Sequence, residues 1–426
     1  MYNITNRFIK EIVLKRFYII LTFLVLSLSL YSPVASAAVV TPQEGASFNN
    51  PKGTTAEQMA LTTRINNAID ATPAGSVIRL TAYSISETTT TAKLIQAHKR
   101  GVDVRVIIDD HVVTLQMKQL QAALGTTKTK PSFIFMCKES CMADTGMMHA
   151  KLFMFSRAGS ATHITMVASF NPTPTGEKIS WNDMYTVVGN IPIYNSFAQY
   201  FSDMLLDKTT ANYYRTTTDD KYKAFFYPQA WNNDPSDTIL QSLSGVQCTG
   251  TGAGYGSDGR TVIKIAMFRW SNARIKIAQR LWDLDNQGCI VQVITNKQYV
   301  ETDVVAALIK PGGKYGGVNL FNGQYDANHN GIPETYVHHK YMIINGVYAG
   351  NNKSKITLMG SICWEGSPQR DSNEVMLKIT DAATYNAFTN NFSLIRDHYA
   401  YPMKTVPAGA VSPDLAGSYG GDDYDD

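Results

Sequence analysis

The chain has 426 residues, 44% of them apolar and 17% charged, with 38 basic and 35 acidic side chains. That composition excludes a disordered or low-complexity polymer and is enough for two substantial cores. Setting aside residues 1–37 removes four bases and one acid and leaves 34 of each sign. A balanced chain has no bulk electrostatic pull on a polyanion, although a local basic groove stays open.

Taken in order, Met1–Ala37 opens with Arg7, Lys10, Lys15 and Arg16, continues as an apolar run from about Phe17 to Tyr31, and ends in Ala35-Ser36-Ala37. These are the three parts of a secretory signal peptide. The apolar run is short for a membrane-spanning helix, which disfavours an uncleaved anchor. The expectation is an exported protein, secreted or periplasmic.

Residues 38–60 read as an extended, weakly ordered lead-in, and a helix is predicted from about Ala56 to Ala71. Residues 76–84 alternate with period two and read as a strand. A helix over Thr91–Arg100 stops at Gly101, and Val102–Ile108 is a second strand, which makes a βαβ unit. The pattern returns at Val262–Trp270, Asn272–Asn286 and Cys289–Thr295, with Gly288 as the stop. The predicted halves are 38–205 and 258–400. Residues 206–257 read as a polar linker whose Thr249–Gly259 part is rich in Gly and Ser. Residues 401–426 form an acidic tail.

Five cysteines suit an exported chain. Cys137 and Cys141 lie close together, and Cys248 and Cys289 flank the start of the second half. The preferred pairing is Cys137–Cys141 and Cys248–Cys289, which leaves Cys363 as a buried thiol; the alternative is five reduced core cysteines.

The chemistry-bearing residues also come twice. His149-Ala150-Lys151 opens an apolar run that is followed by Ala168-Ser169-Phe170-Asn171 and by Asn182-Asp183. His338-His339-Lys340 opens another, followed by Gly360-Ser361 and by Asn373-Glu374. The offsets between first and second copies run from 185 to 192 residues. One such triplet is noise, whereas two with the same partners in the same order imply a duplication that builds one site. In a strand His149 and Lys151 share a face, as do His338 and Lys340, while His339 points away.

Two imidazoles and two ammonium groups around one cavity suit a phosphodiester. One neutral imidazole attacks phosphorus; the other protonates the leaving oxygen and then activates water or an alcohol. Lys151, Lys340, Ser169, Ser361 and Asn171 are expected to hold the non-bridging oxygens, so no catalytic metal and no cofactor is required. Asp183 and Glu374 are each expected to accept from the far nitrogen of a histidine and fix its tautomer. Trp181 and Trp364 are candidate lining residues, with core packing as the alternative; Tyr83 and Trp270 are weaker candidates. Asp326, Asn328 and Asn330 match the first half of a calcium loop. However, Val337 stands where its last ligand belongs, so a polar turn competes with a structural calcium site.

The paired H-x-K, small-Ser and Asn-acid pattern resembles the phospholipase D superfamily over both halves. The two cysteines before the first motif, the Met267-Phe268-Arg269-Trp270 strand and Ser372-Asn373-Glu374-Val375 resemble its secreted bacterial members. The resemblance implies an α/β fold of two pseudo-symmetric halves. Each would be a mixed sheet flanked by helices, packed face to face around one shared active site. It also implies a phosphohistidine, with His149 as nucleophile, and a monomer acting on phospholipid at a membrane or micelle surface. A metal-independent nuclease is the alternative, and a non-catalytic module is a third reading. Ser156 and Asn345 stand where the family pattern has Asp, and Cys363 stands where it has Asn. Asn345-Gly346 also reads as a hairpin turn.

Overall fold

The computed structural model describes residues 40–210, 212–230 and 236–407. The expected signal peptide, residues 1–37, and most of the expected acidic tail lie outside these residues. Among the described residues, no helix is long and apolar enough to cross a membrane.

The first half contributes β1 (Gly45–Phe48), β2 (Val77–Ala82), β3 (Asp103–Asp109), β4 (Phe133–Cys137), β5 (Leu152–Ala158), β6 (Ala161–Ala168), β7 (Ser180–Trp181) and β8 (Asp183–Val187). All but β7 form a sheet in the order β1-β8-β6-β5-β2-β3-β4. The second half contributes β9 (Arg215–Asp219), β10 (Tyr222–Phe226), β11 (Val246–Gln247), β12 (Val262–Met267), β13 (Ile290–Thr295), β14 (Asn319–Asn322), β15 (Tyr336–Val337), β16 (Lys340–Tyr348), β17 (Asn351–Gly360), β18 (Val375–Thr380) and β19 (Tyr401–Pro402). Their sheet runs β19-β14-β13-β12-β16-β17-β18-β10-β9, and β11 pairs with β16. The segment β8-β6-β5-β2-β3-β4 thus repeats as β18-β17-β16-β12-β13-β14, including the parallel pairs that follow a helical crossover.

Each sheet is covered outside by its own helices. Leu61, Ile65 and Leu94 belong to the outer core of the first half, and Ile277, Leu281 and Leu308 to that of the second. A third core lies between the halves. It joins Leu152, Met154 and Tyr185 to Ile343, Leu377 and Ile379, together with Phe197 of helix Ile191–Met204 and Phe388 of helix Ala382–His398. Burial on both faces explains why β5 opens with four consecutive apolar residues rather than alternating ones.

Three local expectations change. The lead-in is an ordered edge strand, because β1 pairs antiparallel with β8, Phe48 opposite Asp183. Residues 206–257 are more than a linker: β9 and β10 extend the second sheet past β18. The β16–β17 turn lies at Ala349-Gly350, both at positive φ, between Tyr348 and Asn351. Asn345 therefore stays inside β16, where its Oδ1 accepts from the Gly256 amide at 3.1 Å. Ser156, the other departure, accepts from the Val77 amide at 2.9 Å. Disulfides join Cys137 to Cys141 and Cys248 to Cys289, and Cys363 is a buried thiol outside both.

Candidate active site

His149 precedes β5 and His338 precedes β16, two strands that hold equivalent places in the two sheets. Short parallel pairings between the halves bring both to one seam. Met148 bridges Asn373, and Val337 of β15 pairs with Trp181 of β7. The His149 amide donates to Asn373 O at 3.0 Å and the His338 amide to Trp181 O at 2.9 Å. His149 and His338 are 5% and 4% exposed, and Lys151 and Lys340 are buried beside them.

Each histidine is held by the opposite half. His149 Nδ1 lies 2.7 Å from Glu374 Oε1, and Glu374 Oε2 accepts from the Ser361 hydroxyl. His338 Nδ1 lies 2.8 Å from Asn182 Oδ1, which also accepts from Ser169 Oγ at 2.8 Å. Asn182 Nδ2 donates to Ser180 Oγ at 2.8 Å and Gly176 O at 3.0 Å. The amide is therefore oriented with its oxygen toward the imidazole, so His338 carries its proton on Nδ1.

Asp183 is not the counterpart of Glu374. The Ser169 amide donates to Asp183 O as the Ser361 amide does to Val375 O, and Asp183 N and Val375 N donate to the two serine hydroxyls. Asp183 therefore matches Val375, and Asn182 matches Glu374. On its strand Asp183 faces away from the Asn182–His338 contact and into the core between the halves, where its Oδ1 lies 2.6 Å from His339 Nδ1. Thirteen residues separate Ser361 from Glu374 and Ser169 from Asn182. That spacing, rather than the Asn-acid doublet, was the signal for the equivalence.

The other expected residues fall as follows. Ser169 and Ser361 turn back onto Asn182 and Glu374 instead of outward, because each also accepts the strand amide opposite. Asn171 Oδ1 accepts from the Tyr83 amide at 3.0 Å. Lys151 Nζ donates to His149 O at 2.8 Å. Lys340 Nζ lies 2.8 Å from His338 Nε2 and 3.3 Å from Ser169 O, and so touches both halves.

Trp181 and Trp364 are fully buried. Trp181 packs on Tyr399 and Trp364 edge-on against Trp270, so both serve the core rather than line a cavity. The rings beside the imidazoles include Tyr83, edge-on to His149, and Phe268 and Tyr336, both edge-on to His338, with Phe268 also under Lys340 Nζ. Phe268 was missed, although it directly follows β12 as Tyr83 follows β2. Two buttresses were missed as well. Asn49, just after β1, accepts from the Asn182 amide at 2.7 Å. Asn373 Oδ1 accepts from the Cys141 amide at 2.7 Å, which ties the short disulfide loop to the Glu374 strand.

The calcium-loop residues are occupied by their own turn. Asp326 accepts from the Asn330 and Gly331 amides, Asn328 from the Asn330 amide, and Asn330 from the Ile332 amide. This is the polar-turn arrangement. Elsewhere, Asp109 ends β3 and accepts from the Met148 amide at 2.7 Å. Its other oxygen lies 2.5 Å from His111 Nδ1, and this bond, with the nearby Glu139 and Asp110 charges, raises His111 to about 9 against the cost of burial.

Two duplicated α/β halves with paired imidazole–ammonium sets at their seam define a two-motif phosphodiester-acting architecture. The family described as "Cardiolipin synthase, PLD-like domain" matches residues 64–205 and 258–396. The chain belongs to the phospholipase D superfamily. No curated protein matches it by sequence. Among solved structures it is similar to the phosphatidylserine synthase of Haemophilus influenzae Rd KW20, with a TM-score of 0.57, 12% identity, and 86% of this chain and 89% of that chain covered. It is also similar to the polyphosphate kinase of Porphyromonas gingivalis, with a TM-score of 0.53 and 12% identity, over 83% of this chain. The chain spans half the length of that kinase. These likenesses are of fold.

Proposed function

We propose that the protein is an exported phosphodiesterase that cleaves phospholipid headgroup esters through a phosphohistidine on His149. The observation that carries the reading is the exchange of partners across the seam, with Glu374 on His149 and Asn182 on His338.

His149, with its Nδ1 proton on Glu374, attacks phosphorus through Nε2. A P–N bond forms as the bond to the headgroup oxygen breaks, and that oxygen takes the Nε2 proton of His338, which enters the step as an imidazolium and keeps its Nδ1 proton on Asn182. Water then gives a proton back to His338 and attacks phosphorus, and the P–N bond breaks. The products are the headgroup alcohol and phosphatidic acid, and an alcohol in place of water gives headgroup transfer. Phosphorylation leaves the nucleophilic ring positively charged. A carboxylate on Nδ1 offsets that charge and an amide does not, which favours His149 over His338 as nucleophile. Lys151 and Lys340 supply positive charge to the phosphoryl oxygens, so the steps use no metal ion. Lys340, which touches both halves, is placed to move from the His338 ring to a bound phosphate.

The lipid reading is supported by a matched family named for a phospholipid synthase and by a charge balance that offers no general attraction for nucleic acid. The test offers phosphatidylcholine vesicles and DNA in parallel, with EDTA present, to the protein and to His149→Ala. Phosphatidic acid that forms with the first and not the second supports the proposal. Cleavage of DNA alone, with steep salt dependence, makes the protein a nuclease of the same superfamily. No turnover of either, with no trapped phosphoenzyme, makes it a binding module.

A further inference from the structure

We infer that His339 and Asp183, which the reaction does not use, form a positioning pair that sets the geometry of His338. The inference rests on the phosphodiesterase reading for its kinetic test.

Both side chains are fully buried, and they meet at 2.6 Å between Nδ1 and Oδ1. His339 belongs to the second half and Asp183 opens β8 of the first. Each is the direct chain neighbour of a site residue, His338 and Asn182, and each points to the opposite side of its strand. Two contacts between the halves therefore lie back to back. On the site face a neutral amide meets His338, and on the core face an imidazole meets a carboxylate. The second contact encloses the stronger bond in a dry setting of Phe48, Tyr341 and Phe388. His339 Nε2 and Asp183 Oδ2 meet no hydrogen-bond partner there, which commits both groups to each other. Beyond this contact, the Phe268 amide donates to His339 O at 2.9 Å, so the same residue also sets the ring that flanks His338.

The other crossover shows what happens without the pair. Ala150 and Val375 occupy the equivalent places and are apolar, and there the site-face bond is the charge-assisted one from Glu374. Each crossover thus carries one imidazole–carboxylate contact, on the site face for His149 and behind the strand for His338. A polar pair buried behind a weakly held imidazole is costly unless its directionality is used.

The test copies the arrangement of the His149 crossover, Ala150 against Val375, into the His338 crossover. The double variant Asp183→Val, His339→Ala and the isosteric Asp183→Asn are compared with the wild-type protein on bis(p-nitrophenyl) phosphate in EDTA. The double variant is expected to stay folded and to lose kcat by roughly tenfold or more, with KM nearly unchanged, as a displaced catalytic ring requires. The Nδ1–H resonance of His338, read in the 15N-histidine-labelled protein, is expected to broaden or shift in both variants. A folded double variant with wild-type kcat and an unmoved resonance overturns the inference. If the double variant does not fold, Asp183→Asn decides by the same two readouts. Absence of turnover in the wild-type protein counts against the phosphodiesterase reading alone, because the resonance still reports on His338.

Discussion

Asn182 Oδ1 lies 2.8 Å from His338 Nδ1, at the place where the other crossover puts a Glu374 carboxylate oxygen 2.7 Å from His149 Nδ1. The duplicated site is thus chemically asymmetric at the one contact that governs each imidazole. Asn182→Ala removes the acceptor and the Ser169 support together. We expect kcat on a chromogenic diester to fall about 10²-fold, and Asn182→Asp to retain more activity than Asn182→Ala. Equal kcat for the three proteins removes the amide from the account.

Glu374→Gln keeps the shape of the contact and removes its charge. The expected loss is roughly 10²–10⁴-fold in kcat, by analogy with loss of the carboxylate that orients a catalytic histidine. Acid-quenched phosphoenzyme should fall in parallel, since the same carboxylate offsets the charge of the phosphorylated ring. A variant that accumulates more phosphoenzyme assigns Glu374 to the second step instead.

The two disulfides should differ in what they do. Cys248–Cys289 spans 41 residues and Cys137–Cys141 only four. In the chain-entropy account, replacing the first pair by Ala costs about 4 kcal/mol and the second about 2 kcal/mol. The short loop hangs on Asn373 next to Glu374, so its removal should lower kcat beyond its effect on stability. Denaturant titration and diester turnover on both double variants separate the two effects.

His111 supplies a pH signature. Its pKa is raised from 6.5 to about 9, first by the bond to Asp109. A raised value means that the folded state holds the proton more tightly than the unfolded one. The contribution is therefore complete below about pH 6.5 and is lost as pH rises through about 9. The Tm difference between the wild-type protein and His111→Gln should be largest at pH 6 and vanish above pH 9. A difference that grows with pH reverses the sign and contradicts the assignment.

Arg274 and Asp237 form a buried ion pair at 2.7 Å, and Asp237 also caps helix Thr238–Ser244 through the Ile239 and Leu240 amides. Asp237→Ala removes a buried carboxylate from the guanidinium and, with it, the cap of the following helix. It should cost about 3–5 kcal/mol in a denaturant titration. A loss below 1 kcal/mol removes the Asp237 carboxylate from the account of what holds Arg274 in the core.

The sequence by itself determined the duplication, the βαβ units and the four His and Lys positions, because these are written in local periodicity and in a repeat that needs no folding to read. Strand alternation also separated His338 from His339. It did not reach the partners. The Asn-acid doublets align one residue out of register, since a doublet has no face until its strand has a neighbour; the pairing of Ser169 with Asp183 and of Ser361 with Val375 decided that Asn182 meets His338. The lead-in looked featureless, yet β1 and Asn49 buttress the site, because an edge strand takes its order from β8 and not from its own pattern. Trp181 and Trp364 went to the core for a related reason: in a site made by two packed sheets, tertiary structure decides which large side chains fill the space between layers and which reach the seam.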